Sequence, residues 1–156
     1  MTFKSIEEFK NHILTKSEPA IRIAQDKITM IINHFLTQFY NEYDPTVYVR
    51  TEQLLRSLTK KRVVSTPNGW KAEVYFDIDA LDYHIHTMKV KDKIYTYEDK
   101  NGWSNEQILD NTMTGSLPHG GAAGGTAIWN ESVKALNFDA VDILKGELIK
   151  AGIPIK

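Results

Sequence analysis

The sequence predicts an α+β fold in which N-terminal helices and a C-terminal helix pack on an antiparallel β-sheet of about four strands. Apolar residues recur at steps of three and four through the first forty positions and again near the C-terminus. Between Leu58 and Tyr97 the pattern turns to β-branched and aromatic residues alternating with polar ones. No crossover long enough to join parallel strands separates these stretches, so neighbouring strands are expected to pair antiparallel.

The helical part opens at Ser5-Ile6-Glu7-Glu8. There the Ser5 hydroxyl can accept from the Glu8 amide while the Glu8 carboxylate reaches back, a capping box. Pro19 follows the polar Lys16-Ser17-Glu18 and suits a first helical turn, where a missing N–H costs nothing. The segment is therefore expected to break there into a short helix and a long one. In the second, Ile21, Ala24, Ile28, Ile31, Phe35 and Phe39 form a stripe that Ile32 and Leu36 widen, and that face is expected to be buried. The chain should leave this helix at Tyr43-Asp44-Pro45, because the residue before a proline is pushed out of helical space.

After Leu58, a strand up to Thr66, the turn Pro67-Asn68-Gly69 and a second strand from Trp70 to Ile78 make a hairpin. Ala72, Val74, Phe76 and Ile78 give the second strand one apolar face. Tyr83 to Val90 and Lys93 to Tyr97 form a further pair, turning at Lys91-Asp92. Ser104, with Gln107 three positions on, opens another helix that Gly115 ends. The run from Gly115 to Thr126 holds five glycines and a proline in twelve positions, so it is expected to be a flexible loop, residues 115–126, within a single domain spanning residues 1–156. The last helix is expected from about Phe138 to Ala151, with Val141, Leu144 and Leu148 on its buried face and Gly152 at its stop.

Composition narrows the function classes. The chain has no cysteine, which removes thiol catalysis, disulfides and thiolate metal sites together. Nineteen basic against twenty acidic residues leave a net charge of −1, so no global field draws in nucleic acid or anionic lipid. No stretch is long and apolar enough for a membrane helix, and no apolar signal core follows Met1-Thr2-Phe3-Lys4-Ser5. The chain is expected to be made in the cytoplasm and to need no membrane.

The motifs that could carry chemistry are few. In Asp82-Tyr83-His84-Ile85-His86 the first, third and fifth side chains share a strand face, and a carboxylate with two imidazoles could take a transition metal. The competing reading of Asp82, His84 and His86 is a solvated polar strand face. Gly120-Gly121-Ala122-Ala123-Gly124-Gly125-Thr126 offers bare amides but lacks the Gly-Lys-Ser/Thr ending of a phosphate-binding loop, so its expected role is to order against another chain. Arg50, Arg56, Lys60, Lys61 and Arg62, opposed only by Glu52, and the set Lys89, Lys91 and Lys93 could face DNA phosphates or simply be solvated strand charge. No Gly-x-Ser-x-Gly elbow, His-Glu-x-x-His helix or paired-carboxylate signature is present, and the chain is expected not to be an enzyme and to need no cofactor.

Three stretches together carry a family resemblance. They are Tyr43-Asp44-Pro45-Thr46-Val47-Tyr48-Val49-Arg50-Thr51 followed by Leu54, Leu55 and Ser57, then Leu117-Pro118-His119-Gly120-Gly121, then the closing Leu148-Ile149-Lys150-Ala151-Gly152-Ile153. In this order they resemble the small neck and minor tail proteins of tailed bacteriophages, the head–tail joining and tail-completion group of siphophages. Two departures stand out: the Ala-Ala spacer between glycine pairs, and Asp82-Tyr83-His84-Ile85-His86 where the group commonly has Tyr-Ala-x-x-x-Glu-x-Gly. The resemblance implies a structural virion subunit, a homo-oligomeric ring between portal and tail tube, with other neck and tail proteins as partners and non-specific contact with DNA in the lumen. It implies no cofactor. The interface carriers expected on this basis and from composition are Tyr43, Pro45, Tyr48, Arg50 and Thr51, with His119, Gly120, Gly121, Gly124, Gly125 and Trp129. Two other readings stay open: a metal-binding module or small metal-dependent enzyme on Asp82, His84 and His86, and a phage-encoded protein that acts on the host.

Overall fold

The capping box forms where the N-terminal sequence places it. In the computed structural model, which describes residues 3–42, 52–67, 69–81, 85–98, 104–114, 128–153 and 155, the Glu8 amide donates to Ser5 Oγ at 3.1 Å. The Glu8 carboxylate reaches back one residue further than a simple box requires and accepts from the Lys4 amide at 2.7 Å. Helix α1 then runs without interruption over Ile6–Glu42, with Pro19 inside it. The expected break at Pro19 does not occur. An interior proline removes one helical amide, crowds the carbonyl four residues back and costs about 3 kcal/mol. Here the preceding turn has added support: the Leu14 carbonyl accepts from the Ser17 hydroxyl of the same helix at 3.1 Å and, from outside it, from the Trp70 indole N–H at 3.2 Å. Ser17, Ala20 and Ala24 are buried around the proline, so packing carries the helix through it.

The chain divides into two units, Met1–Ile31 with Lys60–Val74 and Lys134–Lys156, and Ile32–Thr59 with Tyr75–Val133. In the first, the buried apolar residues are Ala20, Ala24, Val63 and Ile153, joined by the polar Ser17, Gln25 and Glu147. In the second they are Ile32, Leu36, Leu54 and Leu81, joined by Ser57 and Ser132. Ile21, Ile28, Ile31 and Phe35 of the expected stripe are only half-buried.

Both expected hairpins are present. The first is built from β1 (Leu58–Lys60), β2 (Val64–Thr66), β3 (Gly69–Lys71) and β4 (Val74–Phe76). β1 pairs with β4 and β2 with β3, the latter antiparallel with Thr66 opposite Gly69, so Pro67 and Asn68 are the two residues between them. Gly69 has φ +143°, open to glycine and not to most side chains. The Lys61 amide donates to the Glu73 carbonyl at 3.0 Å, whereas Val64 stands opposite Lys71. Three steps on one strand therefore match two on the other, and Arg62 and Val63 form a β-bulge facing Ala72. The extra residue turns Val63 into the core, 4% exposed, between exposed Arg62 and Val64.

In the second unit a short helix α2 (Gln53–Ser57) leads into β1, and a 3-10 turn at Ile78–Ala80 follows β4. The Asp77 amide donates to the Ser57 carbonyl at 2.8 Å, and the Asp77 carboxylate caps the turn by accepting from the Asp79 amide at 3.2 Å. The second hairpin is β5 (Ile85–Val90) with β6 (Lys93–Glu98), antiparallel from Ile85 opposite Glu98 to Val90 opposite Lys93. Lys91 at its tip has φ +56°, unusual for a side chain of this size. Among the described residues no ladder joins the two hairpins, so the strands make three two-stranded pairings instead of one sheet.

Helix α3 (Asn105–Thr114) opens on a reciprocal capping box, the Gln107 amide on Ser104 Oγ at 3.3 Å and the Ser104 amide on Gln107 Oε1 at 2.9 Å. Asn105 ties it to the 3-10 turn by donating to the Leu81 carbonyl at 2.6 Å. Helix α4 (Ile128–Lys150) starts ten residues before its expected beginning at Phe138. It ends as expected: Gly152 at φ +83° lets its amide reach the Ile149 carbonyl at 2.9 Å and the Ile153 amide the Leu148 carbonyl at 3.0 Å. Its expected buried face is not buried, since Val141 is 59% and Leu144 38% exposed. The fold class is α+β, with a long N-terminal helix, a C-terminal helix and small antiparallel sheets.

Candidate functional site

Most of the residues singled out from the sequence fall outside the described structure. Tyr43, Pro45, Tyr48, Arg50 and Thr51, and likewise His119, Gly120, Gly121, Gly124 and Gly125, lie outside the described residues, as do Asp82 and His84. The backbone of His86 lies in β5 opposite Tyr97, and that of Trp129 in the first turn of α4. Among the described residues no group of three or more histidine, aspartate or glutamate side chains is arranged to hold a metal ion. No described helix is long and apolar enough to cross a membrane.

The polar chemistry of the described structure concentrates in two places, both in the first unit. At one, α1 meets the first hairpin beside its bulge. The buried Gln25 amide nitrogen donates to the Lys61 carbonyl at 2.9 Å and to the Glu73 carbonyl at 2.8 Å, one on each strand. Two carbonyl acceptors at one end of the side chain fix the orientation of the amide. Around this clamp three lysines have acidic partners. Lys60 pairs with Asp26, while Lys71 and Lys61 lie 2.8 and 3.3 Å from the Glu73 carboxylate. Lys71 and then Lys61 hold that carboxyl below its usual range. Of the cluster that reads in sequence as Arg50, Arg56, Lys60, Lys61 and Arg62 opposed only by Glu52, Lys60 and Lys61 thus receive Asp26 and Glu73 from distant positions.

At the other place, α1 meets α4. Glu147 is buried, and its Oε1 accepts from Lys27 Nζ at 2.7 Å and Lys150 Nζ at 2.8 Å. The Lys150 bond, then that of Lys27, holds the Glu147 carboxyl below its usual range, and Glu147 in turn raises Lys150. An open cleft of about 330 Å³ lies over this cluster, lined by Lys27, Asp139, Asp142, Ile143, Gly146, Glu147 and Lys150. Among the described residues the cleft thus gathers two lysines and three carboxylates, with Glu147 shared between the lysines.

Neither Gln25 nor Glu147 stands out in the sequence. The one available signal is a polar residue at a helical position where the spacing calls for an apolar one. What the sequence did not suggest at all is the amount of uncovered apolar surface. Ile6, Met30, Ile94 and Ile149 are each more than half exposed, and every described side chain of the second hairpin from Val90 to Glu98 faces solvent.

Comparison with protein families gives a match to the YomN family over residues 4–152. No curated protein and no solved structure shows significant similarity to the chain.

Proposed function

The chain belongs to the YomN family, a family of phage-derived proteins, and from that premise we propose that it is a structural, non-enzymatic subunit of a tailed-phage virion that completes the neck where head and tail join. In this reading it forms a homo-oligomeric ring and contacts other neck and tail proteins. The observation that carries it is the uncovered apolar surface on ordered elements: Ile94 at 66% and Tyr95 at 50% exposure on β6, with Val141 and Ile149 on α4. Apolar side chains held outward on regular elements suit a subunit that buries them against neighbours. The chain runs in the order helix, hairpins and C-terminal helix, which is the order the resemblance implies for such neck proteins.

The test is electron microscopy of particles from the parent phage with this reading frame disrupted. Filled heads accumulating beside separate tails is the expected result. Normal infectious particles would overturn the reading, and absence of the protein from purified virions by mass spectrometry would turn attention to a host-directed role.

A further inference from the structure

We propose that the C-terminal part of α4, residues 134–150, is a releasable helix, held on α1 by the Lys27–Glu147–Lys150 cluster and not by an apolar core. This does not depend on the neck assignment.

The first ground is what α4 buries. Among the described side chains of 134–150 only Glu147 is buried, and it is charged. No described apolar side chain of 134–150 is buried: Leu136, Ile143 and Leu148 are half-buried, and Val141, Leu144 and Ile149 are exposed. Apolar burial is the usual source of a surface helix's adhesion, and here it is weak.

The second ground is the geometry of the contact. Glu147 offers one oxygen to two lysines, and of these only Lys27 comes from α1. Among the described residues, the charged groups that line the cleft with Glu147 are Lys27 from α1 and Asp139, Asp142 and Lys150 from α4. Losing Lys27 leaves the buried Glu147 carboxylate with Lys150 alone, which weakens the docked contact. Lys27 remains 43% exposed, which leaves the cluster open to screening by salt.

The test is hydrogen exchange on the full chain, comparing amides of residues 134–150 with those of α1 over residues 20–31. Glu147→Gln and Lys27→Gln are each expected to speed exchange in 134–150 about tenfold while leaving 20–31 within about twofold. The unsubstituted protein supplies a second reading should either variant fail to fold: raising salt is expected to speed exchange selectively in 134–150. If 134–150 and 20–31 accelerate together, the helix opens only with the whole unit and the proposal is overturned. Unchanged exchange in α4, in the variants or in salt, overturns it equally.

Discussion

The side-chain amide of Gln25 lies 2.8 Å from the backbone carbonyl of Glu73, forty-eight residues away in the chain. That carbonyl also accepts from the Lys61 amide, so helix and hairpin are joined at a single acceptor next to the bulge.

Replacing Gln25 with leucine keeps its size and removes the donor. The Lys61 and Glu73 carbonyls then lose a buried partner, and stability should fall by about 1–3 kcal/mol. Gln25→Glu should cost more, because a carboxylate would face two carbonyl oxygens. Urea denaturation of the three proteins gives the comparison, and equal midpoints would remove the clamp from any account of stability.

Pro19→Ala should stabilise the protein, by up to about 3 kcal/mol, since the helix already runs through this position and alanine restores the missing amide. Trp70→Phe should act the other way, withdrawing the indole donor from Leu14. Thermal melts decide it: a Pro19→Ala protein no more stable than the parent would mean the turn is set by packing alone.

Leu36 and Val141 should differ sharply although both sit on helical apolar spacings. Leu36 has no exposed surface, and its truncation to alanine should cost about 2–5 kcal/mol. Val141→Ala should change stability by less than about 0.5 kcal/mol, because the side chain is already in water. A large loss at Val141 in dilute solution would show that the face is covered there.

Acid should destabilise the fold through Glu73 and Glu147. Both carboxyls are held below their usual value of 4.5 by neighbouring lysines, so the contribution is complete above that pH and is lost as pH falls through the lowered folded-state values. Glu147→Gln should flatten the acid limb of a stability-versus-pH curve. An identical limb in the variant would place the acid sensitivity elsewhere.

Local signals were legible in the sequence where they depend on few neighbouring residues. The boxes at Ser5 and Ser104, the turn before Gly69, the Lys91-Asp92 turn and the Gly152 stop all form as their residues dictate. Where distant parts of the chain decide, the sequence misled. Pro19 reads as a boundary because Trp70, which donates to the turn before it, is fifty-six positions from Leu14. Val141 and Leu144 read as core because spacing marks a face as apolar without saying whether anything lies opposite it. Glu147 was invisible for the same reason, since its meaning comes from Lys27 on another helix. The residues expected at an interface, from Tyr43 to Thr51 and His119 to Gly125, lie outside the described residues.

The bulge at Arg62 and Val63 has a consequence for folding fidelity. A plain two-stranded ribbon can slide by one residue and still satisfy most of its ladder, at the cost of swapping its faces. This ribbon carries a notch. Sliding it would take Val63 out of the core and carry the Lys61 and Glu73 carbonyls away from Gln25, so the misaligned form loses its apolar anchor and its clamp in one step. The single surplus residue thus acts as a detent that leaves the hairpin one alignment in which to come to rest.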